Sequence, residues 1–271
     1  MPELPEVETT RCGIEPHIVD KTVTLVIVRQ SALRWPVSPT LAEELTGSSI
    51  RSVDRRGKYL LLSAAQGTLL AHLGMSGSFR ILPANTPAGK HDHVDICFAD
   101  QTLLRFNDPR RFGCLLWVAD EVAQHALLSR LGPEPLGEHF NGRYLWQQGR
   151  GRRTPVKAFI MDSHVVVGVG NIYANEALYM AGIHPRRAAG RIALARFEKL
   201  STAIRRVLQK AIEAGGTTLR DFTNSNGDPG YFKQSLNVYG RSGEPCRQCG
   251  SLLREIRLCG RSTVYCSRCQ N

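Results

Sequence analysis

Long apolar runs are missing from this 271-residue chain: the richest stretches, around Tyr59–Leu62 and Val165–Val169, fall far short of the roughly eighteen residues that a membrane-spanning helix needs. A spanning protein is excluded on that ground. The start, Met-Pro-Glu-Leu-Pro-Glu, is acidic and lacks the apolar core of a secretory signal, so a cytoplasmic, nucleoid-associated location is expected. Low-complexity composition is also missing: 42% of residues are hydrophobic and 22% charged, enough for a real core and too much for a disordered chain. Acid is in short supply. Asp and Glu number 24 against 35 Lys and Arg, a formal net charge of +11. So basic a chain most often meets a polyanion, and nucleic acid leads that class, although a generally cationic surface remains the plain alternative.

The cations are unevenly spread. Arg143, Arg150, Arg152, Arg153 and Lys157 occur in one stretch without a single acid, and six arginines follow from Arg241 onward against only Glu244 and Glu255. Two such stretches could contact one phosphate backbone if folding brings them together.

The first 130 or so residues read mainly as strands. Runs rich in Val, Ile, Leu and Thr recur at Val23–Val28, Tyr59–Ser63, Thr68–Leu73, Phe79–Leu82, Val94–Phe98, Thr102–Phe106 and Cys114–Val118, which suggests a sandwich or barrel. A helix opens the chain, with Pro5 and the following acids as its start signal and an end near Ile18. Gly132-Pro133-Glu134-Pro135-Leu136-Gly137 and the polar Gln147–Gly151 suggest a hinge over 132–151. Beyond it the spacing turns helical: Phe197, Leu200, Ile204, Val207, Leu208, Ala211 and Ile212 line one face of a helix that Gly215-Gly216 stops. A second helix includes Asn175–Ala181. Thr217–Tyr231 has no periodicity and reads as a substrate-binding loop.

Four of the eight cysteines form Cys246-x2-Cys249-x16-Cys266-x2-Cys269, the spacing of a four-thiolate zinc site. Four thiolates close the coordination sphere, so one structural Zn2+ is expected; two disulfides are the alternative. Cys12, Cys97, Cys114 and Cys259 have no partner spacing and read as packed thiols. His91-Asp92-His93 resembles a metal motif at first sight but lacks a third ligand at suitable spacing.

Residue 2 is proline, small enough for the initiator methionine to be cut away. That would expose a secondary amine. An α-amino group titrates near 7.7–8.0, so it is partly uncharged at neutral pH and can attack a sugar carbon to give a Schiff base. Glu3 and Glu6 stand close by as acid, base or charge stabiliser, or merely as acids favoured by the helix dipole.

The run Met1-Pro2-Glu3-Leu4-Pro5-Glu6-Val7-Glu8-Thr9 resembles the start of bacterial formamidopyrimidine-DNA glycosylases. The resemblance continues in order through Arg55-Arg56-Gly57-Lys58-Tyr59, His72-Leu73-Gly74-Met75-Ser76-Gly77, Asp108-Pro109-Arg110-Arg111-Phe112-Gly113, Gly168-Val169-Gly170-Asn171-Ile172-Tyr173 and the four-cysteine finger. It implies an α+β multidomain protein: an N-terminal β-sandwich with flanking helices at 1–131, a hinge linker at 132–151, a helix-two-turn-helix domain with a lesion loop at 152–236, and a C-terminal zinc-finger β-hairpin at 237–271. DNA would lie in the cleft between the halves.

The activity implied is that of a monomeric, bifunctional glycosylase and abasic-site lyase of base excision repair. It would remove 8-oxoguanine and formamidopyrimidines from double-stranded DNA. Pro2 is the implied nucleophile, Glu3 the proton donor to the sugar, Lys58 the β-elimination residue and Arg261 the δ-elimination residue. Met75, Arg110 and Phe112 are implied to fill the duplex where the damaged base leaves, with Arg110 on the orphaned cytosine. His91, Arg152 and Asn171 are implied DNA contacts; Asn171 also begins a helix, where amides favour phosphate. Two other readings stand beside this one. The related endonuclease VIII branch acts on oxidised pyrimidines, and a non-catalytic zinc-finger DNA-binding protein would satisfy charge and finger alone.

Overall fold

The computed structural model describes residues 2–216 and 236–271, so the expected loop over Thr217–Tyr231 lies outside the described residues. These fall into two compact units, one of residues 2–129 with 214–216 and the other of 130–213 with 236–271.

The first unit opens with α1 (Leu4–Ile18) and continues through β1 (Val23–Val28), α2 (Leu41–Leu45), β2 (Ser52–Arg56), β3 (Tyr59–Ser63), β4 (Thr68–His72), β5 (Ser78–Pro83), β6 (Asp92–Phe98), β7 (Thr102–Asn107) and β8 (Cys114–Val118). The strands form two antiparallel four-stranded sheets, β1-β6-β7-β5 and β2-β3-β4-β8. Alternation places Leu60 and Leu62 of β3 in the core, where they join Leu69, Val94, Ile96, Leu104 and Phe106 from both sheets. The expected sandwich is present. Strand β2 and helix α2 are additions to it. Ser-Val-Asp-Arg-Arg carries one apolar residue, Val53, and becomes a strand by pairing with β3 at the sheet edge. Its Arg55 is tied to Glu8 of α1 at 2.7 Å.

The second unit comprises α3 (Gly142–Gly149), α4 (Val156–Met161), α5 (Asn171–Met180), α6 (Leu194–Glu213) and the strands β9 (Arg254–Leu258) and β10 (Arg261–Tyr265). Helix α6 buries Phe197, Leu200, Ile204, Val207, Leu208 and Ala211, the face that its spacing marks. The hinge reading of 132–151 needs correction at Gly142–Gly149, which is helical. Asn141 caps that helix by accepting the Tyr144 N–H (2.9 Å), and Gly142 lies so close to Glu198 of α6 that a Cβ would collide with its backbone. The glycine there serves close packing and not flexibility. Helix α5 begins at Asn171 behind Gly170, where the Gly168-Val169-Gly170-Asn171 segment leads into it.

Strands β9 and β10 pair antiparallel and are joined by Cys259 and Gly260, both at positive φ (49° and 76°), as a tight hairpin requires. Cys259 is therefore an exposed hairpin tip, and Cys12 is exposed as well, so neither is the packed thiol expected; Cys114 is buried. No helix among the described residues is long and apolar enough to cross a membrane.

Candidate functional site

Apart from the four cysteines, the sequence-predicted residues lie in three regions: the head of α1 and the β2–β3 turn, a pair of loops at the sandwich edge, and the second unit. At the head of α1, Pro2 is buried and Glu3 is the N-cap. Glu3 and Glu6 form a reciprocal capping box in which the Glu3 N–H donates to Glu6 Oε2 at 2.8 Å. This holds the two carboxylates, both 2% exposed, beside Pro2. Lys58 occupies the two-residue turn between β2 and β3, after Gly57 at φ +59°. Its charge reaches His72, whose pKa is pushed down to about 4, first by burial and then by Lys58 and Arg34. His72 is consequently neutral, and its Nδ1 accepts the Gly74 N–H at 2.9 Å.

The second place is a pair of loops at the sandwich edge. Met75 is half-buried between Gly74 and Gly77, while Arg110 and Phe112 are exposed. Phe112 keeps 42% of its surface in solvent, an unusual exposure for a large apolar side chain, and the Arg110 guanidinium lies 4.9 Å from its ring centroid. The loops sit back to back: Gly74 is at φ +62°, and a Cβ there would strike the Phe112 carbonyl carbon and the Gly113 nitrogen. His91 belongs to the same region, its carbonyl accepting the Asp108 N–H at 3.0 Å.

The neighbouring carboxylate of Asp92 accepts from the Gly89 N–H (2.7 Å), Arg80 (2.8 Å) and Asn107 (2.7 Å), and His93 Nε2 bonds the Asp108 carbonyl at 2.8 Å. The Asp92 and His93 side chains are thus committed to structure. Arg105, 2% exposed, completes this network by gripping Asp95 through Nε and Nη2 (both 2.8 Å) and the carbonyls of Thr86 and Pro87.

The third place lies in the second unit. Lys157, counted above among the phosphate-facing cations, is only 2% exposed. Its Nζ donates to Asn171 Oδ1 (2.6 Å), the Ser262 carbonyl (2.9 Å) and Thr263 Oγ1 (2.7 Å), which joins α4 to the start of α5 and to β10 beside Arg261. Its role as an internal tie was missed; the signal was present in its apolar setting between Val156 and Ala158-Phe159-Ile160. Glu176 was missed altogether. Buried on α5, it accepts the backbone N–H groups of Asn237, Val238 and Tyr239 (2.8–2.9 Å) and so fixes the entry to the finger. Arg152 is exposed, with its guanidinium 5.4 Å from the Phe159 ring centroid, and Arg261 is exposed at the start of β10.

The ligand atoms of Cys246, Cys249, Cys266 and Cys269 lie within 4.8 Å of one another. Cys246 and Cys269 sulfurs are 3.9 Å apart, and Cys249 and Cys266 are 3.5 Å apart. A tetrahedral ion bonded to sulfur at about 2.3 Å sets its ligands about 3.8 Å apart, whereas a disulfide needs about 2.05 Å. The cage fits zinc. Hydrogen bonds from Ser251 also lower the pKa of Cys249 to about 6, favouring the thiolate. Among the described residues this is the one group with the makings of a metal site.

A β-sandwich, a helical unit and a closed four-thiolate finger, carried in that order on one basic chain, define a zinc-finger DNA glycosylase, an enzyme of DNA repair. Residues 1–115 match the formamidopyrimidine-DNA glycosylase N-terminal domain, 131–223 the formamidopyrimidine-DNA glycosylase H2TH domain, and 243–271 the zinc finger found in FPG and IleRS. The chain belongs to the formamidopyrimidine-DNA glycosylase family. It is 61% identical over 270 residues to the formamidopyrimidine-DNA glycosylase of Marinobacter nauticus, with the whole of both chains covered. Among solved structures it is similar to a mutant of the Lactococcus lactis protein in complex with a Fapy-dG containing DNA (TM-score 0.93, 34% identity, all of both chains). It is also similar to MutM in complex with carbocyclic 8-oxo-G containing DNA (TM-score 0.92, 34% identity, all of both chains).

Proposed function

We propose that this protein acts as a monomer on double-stranded DNA, removes 8-oxoguanine and formamidopyrimidines, and then cleaves the strand at the resulting abasic site. The observation that carries the reading is a match along the entire chain to proteins held with Fapy-dG and 8-oxo-G containing DNA. A damaged base inside a duplex is out of reach of any enzyme nucleophile, so the nucleotide must leave the stack. Met75 and Phe112 then occupy the emptied space, and Arg110 presents its planar donors to the orphaned cytosine.

With Met1 removed, the Pro2 nitrogen attacks C1′ of the everted sugar. The C1′–N9 bond breaks and its electron pair leaves with the base, which takes up a proton; Glu3 donates a proton to the ring oxygen, and the opened sugar is left as an iminium on Pro2. Loss of a C2′ proton expels the 3′-phosphate, and a second elimination expels the 5′-phosphate. Lys58 and Arg261 serve these two steps as proton carrier and phosphate clamp. His91, Arg152 and Asn171 hold the backbone. Asn171 suits this because its Oδ1 is taken by Lys157, which turns its amide NH2 to donation. Zinc, held by the four cysteines, supplies only the rigidity of the finger.

Borohydride should trap a covalent complex between the mature protein and 8-oxoguanine DNA, and Pro2→Gly should lose both trapping and most turnover. A correctly processed protein that traps nothing would overturn the reading. Faster excision of thymine glycol than of 8-oxoguanine would move the chain to the endonuclease VIII branch, and undiminished DNA binding with no turnover in any variant would mark a pure binder.

A further inference from the structure

We propose that Asp108 is a positioning residue that locks the Met75 loop, the Arg110–Phe112 loop and the His91 segment into one wedge, and that through this it governs discrimination of the base opposite the lesion. The inference rests on the function proposed above.

Asp108 is fully buried. Its two carboxylate oxygens are divided between loops. Oδ1 accepts the Ser76 hydroxyl (2.9 Å), next to Met75, and the Arg110 N–H (3.3 Å), whereas Oδ2 accepts the Gly113 N–H (2.8 Å), next to Phe112. Its backbone is engaged as fully: the N–H donates to the His91 carbonyl (3.0 Å), and the carbonyl accepts from Arg111 N–H (3.1 Å) and His93 Nε2 (2.8 Å). One residue therefore holds every loop that carries an expected wedge residue, and His91 as well. Arg111, at φ +56°, completes the turn in the left-handed region, a conformation that persists only where its surroundings dictate it.

Chemistry selects a carboxylate here. Three donors converge on it from two loops, and only an ionised acid offers acceptors on both sides, with the added strength of charge-assisted bonds. An asparagine of the same shape would aim an NH2 group at one of these donors, so either the Ser76 and Arg110 pair or Gly113 would face another donor. The loops would then part. A wedge replaces lost base stacking and reads the orphan base only when its side chains are held to about 0.5 Å, which loose loops cannot do.

The experiment compares the zinc-bound full chain with Asp108→Asn and Ser76→Ala, the latter cutting only the tie to the Met75 loop. Each is assayed on 8-oxoguanine paired with cytosine or with adenine, and on a single-stranded oligonucleotide with an abasic site, which has no orphan base to read. For Asp108→Asn the cytosine-over-adenine ratio of kcat/KM should fall about tenfold, within the range that one bidentate base contact discriminates. Ser76→Ala should lower the ratio by a smaller factor, and cleavage of the single strand should change less than about twofold. An unchanged ratio in variants that remain folded would overturn the proposal, as would an equal fall on all three substrates, which would mark a general folding role. If Asp108→Asn does not fold, Ser76→Ala decides by the same ratio. Wild-type protein that neither excises nor traps would instead overturn the function itself.

Discussion

Lys157→Met tests the internal tie of the second unit. The substitution keeps length and apolar stem but removes a donor from three acceptors at 2.6–2.9 Å. Hydrogen bonds from a charged group contribute about 1.5–3 kcal/mol each, so the gross loss over the three is about 4.5–9 kcal/mol. Against this stands the cost of burying an ammonium, several kcal/mol, which methionine does not incur. Water can also serve half-exposed Asn171. A net destabilisation of about 2–4 kcal/mol results, which at about 3–6 °C per kcal/mol for a unit of this size lowers its melting temperature by about 6–24 °C.

The same variant should bind duplex DNA more weakly, since Asn171 and β10 lose their common anchor. Its salt dependence, however, should keep the wild-type slope, because a buried lysine neutralises no phosphate. The assays are thermal unfolding and Kd against salt concentration. A melting point unchanged to within a degree, together with a slope of log K against log salt reduced by about 0.9, would show Lys157 to be a direct phosphate contact and would refute the reasoning.

Cys249→Ser should take zinc from one ion per chain to none by elemental analysis and abolish DNA binding, while the N-terminal sandwich keeps its own unfolding transition. His72 contributes a pH dependence of defined sign. Its folded pKa of about 4 lies below its ordinary 6.5, so the folded state refuses a proton that the unfolded chain accepts. Stability is complete above about 6.5 and falls as the pH drops toward 4, by about 1–2 kcal/mol at pH 5, and urea unfolding of His72→Gln should lack that portion. Gly74→Ala should cost about 2–3 kcal/mol in the same assay, since it adds a left-handed strain and a clash with Phe112, and it should slow excision more than it weakens binding.

Much of the sandwich was legible because its strands carry their own signal: Val23–Val28 and Tyr59–Ser63 alternate or run apolar between turn residues, and their bounds agree with β1 and β3. The finger was legible for a different reason, since two Cys-x-x-Cys knuckles have few uses besides a metal. Strand β2 was not legible, because an edge strand of mostly charged residues is defined by its neighbour β3 and by Glu8. Helix α3 was hidden by its glycines, which resemble a linker until α6 is packed against them.

The linear order of residues by itself determined the family and the four zinc ligands, because motifs and ligand spacing are local properties of a chain. The three-dimensional fold alone decided that Lys157 is an internal tie, that Glu176 fixes residues 237–239, and that Asp108 joins three loops distant in sequence. The physical reason is that burial and hydrogen-bond partnership depend on what packs against a residue. Asp108 and Ser76 stand 32 positions apart, and Lys157 and Thr263 stand 106 apart, separations over which no local pattern carries information.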